Sequence, residues 1–185
     1  MLGTKKPNEI LADEVLESSG VSKGSMYHHF DKELVETAQI FRYSKWIDAS
    51  IEFLTAHVAK AHTQEELQRA IRTLTEQRQS DERREARAEC AQALAACLQN
   101  PRMAKQMGRE TERLTDAIAD VTEVAKNKGL FRANVNSKVL ATFIQAYTLG
   151  KLVNDYNPSG VNESEWNDFI MNIVDHTFTA RRAQD

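Results

Sequence analysis

Cysteine, proline and glycine are all scarce in this chain, and each scarcity excludes something. Only Cys90 and Cys97 occur, seven residues apart in a helical pattern. At 1.5 Å per residue that spacing is about 10 Å along one helix face, too far for a disulfide. Two reduced, buried thiols in a cytoplasmic protein are the expectation. A metal site is not expected, because no third or fourth ligand stands at a suitable spacing. Proline is confined to Pro7, Pro101 and Pro158, and there are seven glycines. No apolar run approaches the ~20 residues needed to span a bilayer, so no membrane partner is expected. Residues 1–8 carry no apolar stretch of signal-peptide type. Excess positive charge is missing too. The formal net charge is −3 at pH 7, so any affinity for nucleic acid must come from a local patch.

What the chain does have is apolar spacing of three and four, without sustained strand-type alternation. This predicts an all-α fold of about eight helices. The expected helices cover roughly residues 8–18, 22–30, 32–61, 64–79, a segment ending near 99, 102–127, 137–153 and 163–181. Thr63 and Glu66 form a capping box, and Asn162 with Glu165 repeats the pattern. Asn100-Pro101 breaks one helix, Gly129 stops another, and Asn136 caps the next. Residues 157–160, Asn-Pro-Ser-Gly, form a turn cluster. The almost wholly polar stretch 77–89 reads as either a solvated helical turn or a loop.

No nucleophile–base pairing, Gly-rich phosphate loop or carboxylate cluster is evident, so neither an enzyme nor a cofactor is expected. The most informative stretch is Asp13 to Phe30, DEVLESSGVSKGSMYHHF. Two short helices meet at Ser18-Ser19-Gly20, where glycine permits the positive φ of a tight turn. Val15, Leu16, Val21, Met26 and Phe30 would bury one side. The other side of the second helix shows Ser22, Lys23, Ser25, Tyr27, His28 and His29, with no carboxylate between Val21 and Phe30. A helix entering a groove lined by phosphates needs that composition. His28 and His29 do not make a metal site, since adjacent helical side chains point about 100° apart.

The run VSKGSMYHHF resembles the recognition-helix signature of the tetracycline-repressor (TetR/AcrR) family, in which Ser/Thr-x-Gly-x-Leu/Met-Tyr-x-His-Phe is characteristic. Downstream, NKGLFRANVNSKVLATFIQAYTLGKLVND also resembles a family segment, in which a Gly-Leu-hydrophobic-Arg turn precedes an interface helix. The resemblance implies an N-terminal helix-turn-helix reading head, residues 1–38, and a helical ligand-binding and dimerisation domain, residues 39–185. It implies a repressor that binds a palindromic DNA operator as a homodimer and is released by a small-molecule effector. Ser22, Lys23, Gly24 and Ser25 would approach bases and phosphates, Tyr27 and His29 the sugar-phosphate backbone, and Lys32 a further phosphate. Family members carry a longer helix ahead of this head, and about two more residues after the motif's phenylalanine. Segments missing before Met1 and near Asp31 are therefore expected, and an intact mass above 21.0 kDa would reveal them. The competing reading is a dimeric small-molecule-binding module without DNA binding.

Beyond residue 38, Trp46, Phe53, His57, Met103, Met107, Phe143 and Tyr147 are candidates for a sensing cavity, with packed core as the alternative for each. The last two helices carry broad apolar stripes. Val139, Phe143, Leu149, Gly150, Trp166, Phe169 and Ile173 are the expected dimer contacts, closing a four-helix bundle with the same helices of a second copy.

Overall fold

In a computed structural model of the chain, residues 12–25 and 34–180 are described. The first helix, α1, spans Ala12–Ser19. Gly20 closes it with φ +66°, and its N–H donates to the Leu16 carbonyl at 3.0 Å. That left-handed residue turns the chain at little steric cost. Helical backbone resumes at 23–25, the described part of α2, where the Ser22 hydroxyl accepts the Ser25 N–H at 3.2 Å. Ser22 thus caps the helix it begins.

The body starts with α3, Leu34–Phe53. Its last turn widens over Leu54–Val58, where the Ala59 N–H reaches back to the Leu54 carbonyl at 3.0 Å. The regular helix expected as far as 61 therefore stops early. Lys128 Nζ donates to the Ala59 and Ala61 carbonyls at 2.9 and 2.8 Å, satisfying acceptors that a helix end leaves open. The capping box at Thr63 and Glu66 opens α4, Gln64–Gln79. Hydrogen bonds from the His62 and Thr63 N–H groups hold the Glu66 carboxyl below its usual pKa.

The polar stretch 77–89 is helical rather than a loop. A short tight turn, Asp81–Arg83, leads into α5, Arg84–Ala96. Asn100 caps α6, Pro101–Asn127, by accepting the Met103 N–H at 3.0 Å, and Pro101 occupies the first turn. At its far end Gly129 takes φ +71°, the Leu130 N–H donates to Ala125 and the Gly129 N–H to Lys126. This paired closure uses two otherwise orphan carbonyls. Asn136 caps α7, Ser137–Gly150. A separate short helix, α8, Leu152–Asp155, follows where one helix to 153 was expected. The Asn162 and Glu165 box opens α9, Glu163–Ile173, which ends in a widened turn, Val174–Phe178.

The core forms around α6. Met103, Met107, Leu114, Ile118 and Val121 of α6 join Ile47, Leu54, Leu67 and Leu140 from the surrounding elements in one buried cluster. The C-terminal strand-like residues clasp the chain after α6. Phe131 and Thr179 form an isolated antiparallel bridge, and Arg132 donates to the carbonyls of His176 at 2.6 Å and Thr179 at 2.9 Å. The arginine of the Gly-Leu-Phe-Arg turn therefore satisfies acceptors at the end of the last helical segment.

Three charges are buried together. Arg87 forks onto both oxygens of Asp155 at 2.7 and 2.8 Å, and Lys151 reaches the same carboxylate at 2.9 Å. The remaining Arg87 nitrogen donates to the carbonyls of Arg78 and Ser80 at 3.1 and 2.9 Å. The three side chains are 5%, 0% and 1% exposed for Arg87, Asp155 and Lys151, so this network pins α5 to α8 and to the turn after α4. Burial alone would raise the Asp155 pKa, but the hydrogen bonds and charges of Arg87 and Lys151 outweigh it and hold it low.

Candidate nucleic-acid interface and ligand cavity

At the N-terminal corner, Ser22, Lys23, Gly24 and Ser25 are all exposed. Lys23 is engaged only loosely, 3.6 Å from Asp13, with both side chains mostly in solvent. A pair of that kind is worth little, so a phosphate can replace Asp13 as the partner of Lys23. Gly24 has open space where a Cβ would sit. Val15 and Leu16 are half-buried as expected, but Val21 is 43% exposed. It occupies the link ahead of the first helical residue rather than the packed side of α2. Tyr27, His29 and Lys32 lie outside the described residues, as do Met26, His28 and Phe30.

A cavity of about 1290 Å³ opens between α3, α5, α6, α7 and the turn after α4. Its aromatic wall comes from α3, where Tyr43 and Trp46 stack with ring centroids 5.9 Å apart. The Arg78 guanidinium lies 5.3 Å from the Trp46 ring centre. Hydroxyl and amide groups of Thr111, Thr115, Thr142, Gln145 and Thr148 also face the space. Tyr43 shares a 2.9 Å hydrogen bond with Thr111, and the Gln145 amide donates to Thr115 at 2.9 Å. Burial pushes the Tyr43 phenol above its usual pKa, with the Thr111 hydrogen bond opposing. Cys90 also lines the cavity, and burial pushes its thiol up to about 11. Both cysteines are free and half-buried rather than fully buried.

Of the seven sensing candidates, Trp46 alone lines this cavity. Met103 and Met107 are each 1% exposed and belong to the core, with the Cys97 thiol 3.7 Å from the Met107 sulfur. Phe53 and His57 pack in tilted contact at 4.5 Å, away from the cavity, where α3 runs into its widened turn. Phe143 packs between Tyr147 and Phe178 at 5.3 and 5.8 Å, and lines only a shallow hollow on α7. Tyr147 is half-buried; burial raises its pKa, against hydrogen bonds with Thr75 and Thr148. Sequence reasoning missed Tyr43, Arg78 and the threonines. Tyr43 sits one helical turn from Trp46, a usable signal, whereas Arg78 lies inside a charge run that resembles an ordinary solvated face.

The expected dimer contacts divide into two groups. Val139 and Phe169 are 64% and 59% exposed, and Gly150 is exposed with open space at its Cβ position. Phe143, Leu149, Trp166 and Ile173 are half-buried within the chain. Trp166 is partly committed to α4, donating to the Gln79 side-chain oxygen at 3.2 Å. Phe41 is 61% exposed, with Lys45 Nζ 5.5 Å from its ring centre. Among the described residues, no His/Cys/Asp/Glu group is arranged to hold a metal, and no helix is long and apolar enough to cross a membrane.

Comparison with known proteins places the architecture. No family model matches the sequence, and no curated protein matches it. Solved structures do match. A protein from Mesorhizobium loti assigned to the TetR family of transcriptional regulators superposes with a TM-score of 0.75 at 16% identity, over 97% of this chain and 91% of that one. A ketosteroid transcriptional regulator of Mycobacterium tuberculosis superposes with a TM-score of 0.60 at 16% identity, over 98% of this chain and 90% of that one. The chain has the all-helical fold of these regulators.

Proposed function

We propose that the chain is a ligand-responsive DNA-binding transcriptional repressor that acts as a homodimer on a palindromic operator. The observation that carries this reading is the corner at 13–25. A glycine-turned corner presents Ser22, Lys23, Gly24 and Ser25 to solvent, and the Met-Tyr-His-His-Phe run follows them in the sequence. The shared fold supports it, since both structural neighbours are transcriptional regulators. Tyr27, His29 and Lys32 are proposed to complete the phosphate contacts.

Pairing is proposed through α7 and α9. Val139, Gly150 and Phe169 supply the exposed part of the surface, and the half-buried Phe143, Leu149, Trp166 and Ile173 back it. A two-fold pair would set two α2 helices for successive major grooves, one helical turn or about 34–36 Å apart. The helix α3 is the next described helix after the reading corner and carries Tyr43 and Trp46 of the cavity, so an occupant favouring one arrangement of α3 would shift the population of DNA-competent dimers.

The test is an anisotropy titration of the chain against the DNA upstream of its own gene, at two salt concentrations, with Lys23→Ala alongside. Tight binding that weakens steeply with salt, and weakens further in the variant, is expected. A dimeric protein with no specific complex at either salt would overturn the DNA-binding reading and leave a ligand-binding module.

A further inference from the structure

We infer that the cavity takes an organic anion, a carboxylate on an aromatic or aliphatic body, with the Arg78 guanidinium as its charge partner. The inference rests on the ligand-responsive reading and names the chemical class of the ligand.

Most charges on the cavity wall already have partners. Arg42 meets Glu89 at 2.6 Å, Arg84 meets Asp81 at 3.8 Å, and Arg87 is consumed by Asp155. Lys45 is paired with Asp48 at 3.3 Å. Arg78 differs. It is half-buried at the end of α4 and, among the described residues, no carboxylate pairs with it. Its contact is the face of Trp46. Arg83 places a second positive charge beside it, and Arg83 also lines the cavity. The wall's unmatched carboxylates, Glu82 and Glu85, are exposed to water.

A partly desolvated charge without a counter-ion is unfavourable, and partial burial together with Arg83 disfavours the charged form of Arg78. An incoming carboxylate removes that cost. It can accept two parallel N–H bonds in the plane of the guanidinium while a face of the group keeps its place on the indole. The ligand's apolar body would then lie along Tyr43, Trp46 and Leu149, with Thr111 and Gln145 available to a second polar group. A cationic ligand would meet two unmatched guanidinium groups instead.

The test uses the full chain without DNA and two acid–amide pairs: 2-naphthoate with 2-naphthamide, and dodecanoate with dodecanamide. Binding is read by calorimetry on wild type, Arg78→Gln and Arg78→Lys, each checked for an unchanged thermal midpoint. At least one acid should bind wild type about tenfold or more tighter than its amide, the worth of one charge-assisted hydrogen bond. Arg78→Gln should abolish that preference, and Arg78→Lys should retain part of it. Equal binding of acid and amide to wild type, a preference that survives Arg78→Gln, or no binding of either acid would overturn the inference. DNA titrations run separately keep the two readings apart. Acid binding that leaves the DNA complex intact supports the anion site and overturns only the regulatory link. DNA binding without acid binding overturns the anion site and leaves the DNA-binding reading standing.

Discussion

The corner at 12–25 and the body at 34–180 are held together in opposite ways. In the corner, the described stabilising contacts are local: a left-handed glycine, a serine cap, a loose Lys23–Asp13 pair. In the body they are long-range: a core built on α6, a three-charge network, an arginine clasp on the C-terminal segment. The difference separates folding from reading. Residues that would meet DNA stabilise little, whereas residues that stabilise most face away from solvent and from any partner. Substitutions should therefore sort by region, and five measurements would sharpen or break that division.

The largest effect is expected at Asp155. Asp155→Ala strands Arg87 and Lys151 in the interior, and should cost about 3–5 kcal/mol in urea unfolding. A loss under about 1 kcal/mol would mean that water reaches the network and that the body is less dry than its burial implies. The same carboxylate sets a pH dependence. Its folded pKa lies below the unfolded value of about 3.9, so its stabilisation is complete above that pH and is lost as pH falls through the folded pKa. Stability measured from pH 6 downward should fall in that range, and the Arg87→Met/Asp155→Leu/Lys151→Met triple variant should show a shallower fall.

Met107→Ala comes next. Met107 is 1% exposed in the core and should cost about 2–5 kcal/mol by leaving a cavity. An unchanged urea midpoint would contradict its placement and return it to the sensing candidates. Thr63→Ala removes one half of a capping box, and should cost about 1 kcal/mol in the same assay. Smallest of all is Lys23→Ala, expected to change stability by less than about 0.5 kcal/mol while weakening the DNA complex. A larger stability loss would show that the corner is held by more than its local contacts.

The fold was largely legible because its punctuation is chemical. Thr63, Asn100, Asn136 and Asn162 cap the helices they were expected to cap or delimit, and Gly20 and Gly129 take the positive φ that ends one. The site was less legible, for one physical reason. Binary patterning reads charged residues as solvent-facing. Arg87, Lys151 and Asp155 are buried nevertheless, since Arg87 and Asp155 pair across the chain and Lys151 joins the same carboxylate from one helical turn away. Arg78 and the stretch 77–89 were obscured in the same way, because an Arg87 bond to the Arg78 carbonyl organises a polar run that composition alone leaves ambiguous. Met103 and Met107 show the converse. Methionine suits a plastic pocket and a packed core equally, and only the neighbouring elements decide which.

The Arg87–Asp155–Lys151 network also constrains how this sequence can drift. Any one of the three replaced alone by an uncharged residue leaves a buried charge behind, so single steps away from it are selected against. A compensated exit must pass through a destabilised intermediate or change several positions together. The Arg87 contacts to two backbone carbonyls add that any successor must still supply donors there or open the turn to water. Across a set of descendants, positions 87, 151 and 155 should change as a unit, while the exposed positions 22–25 carry no such coupling.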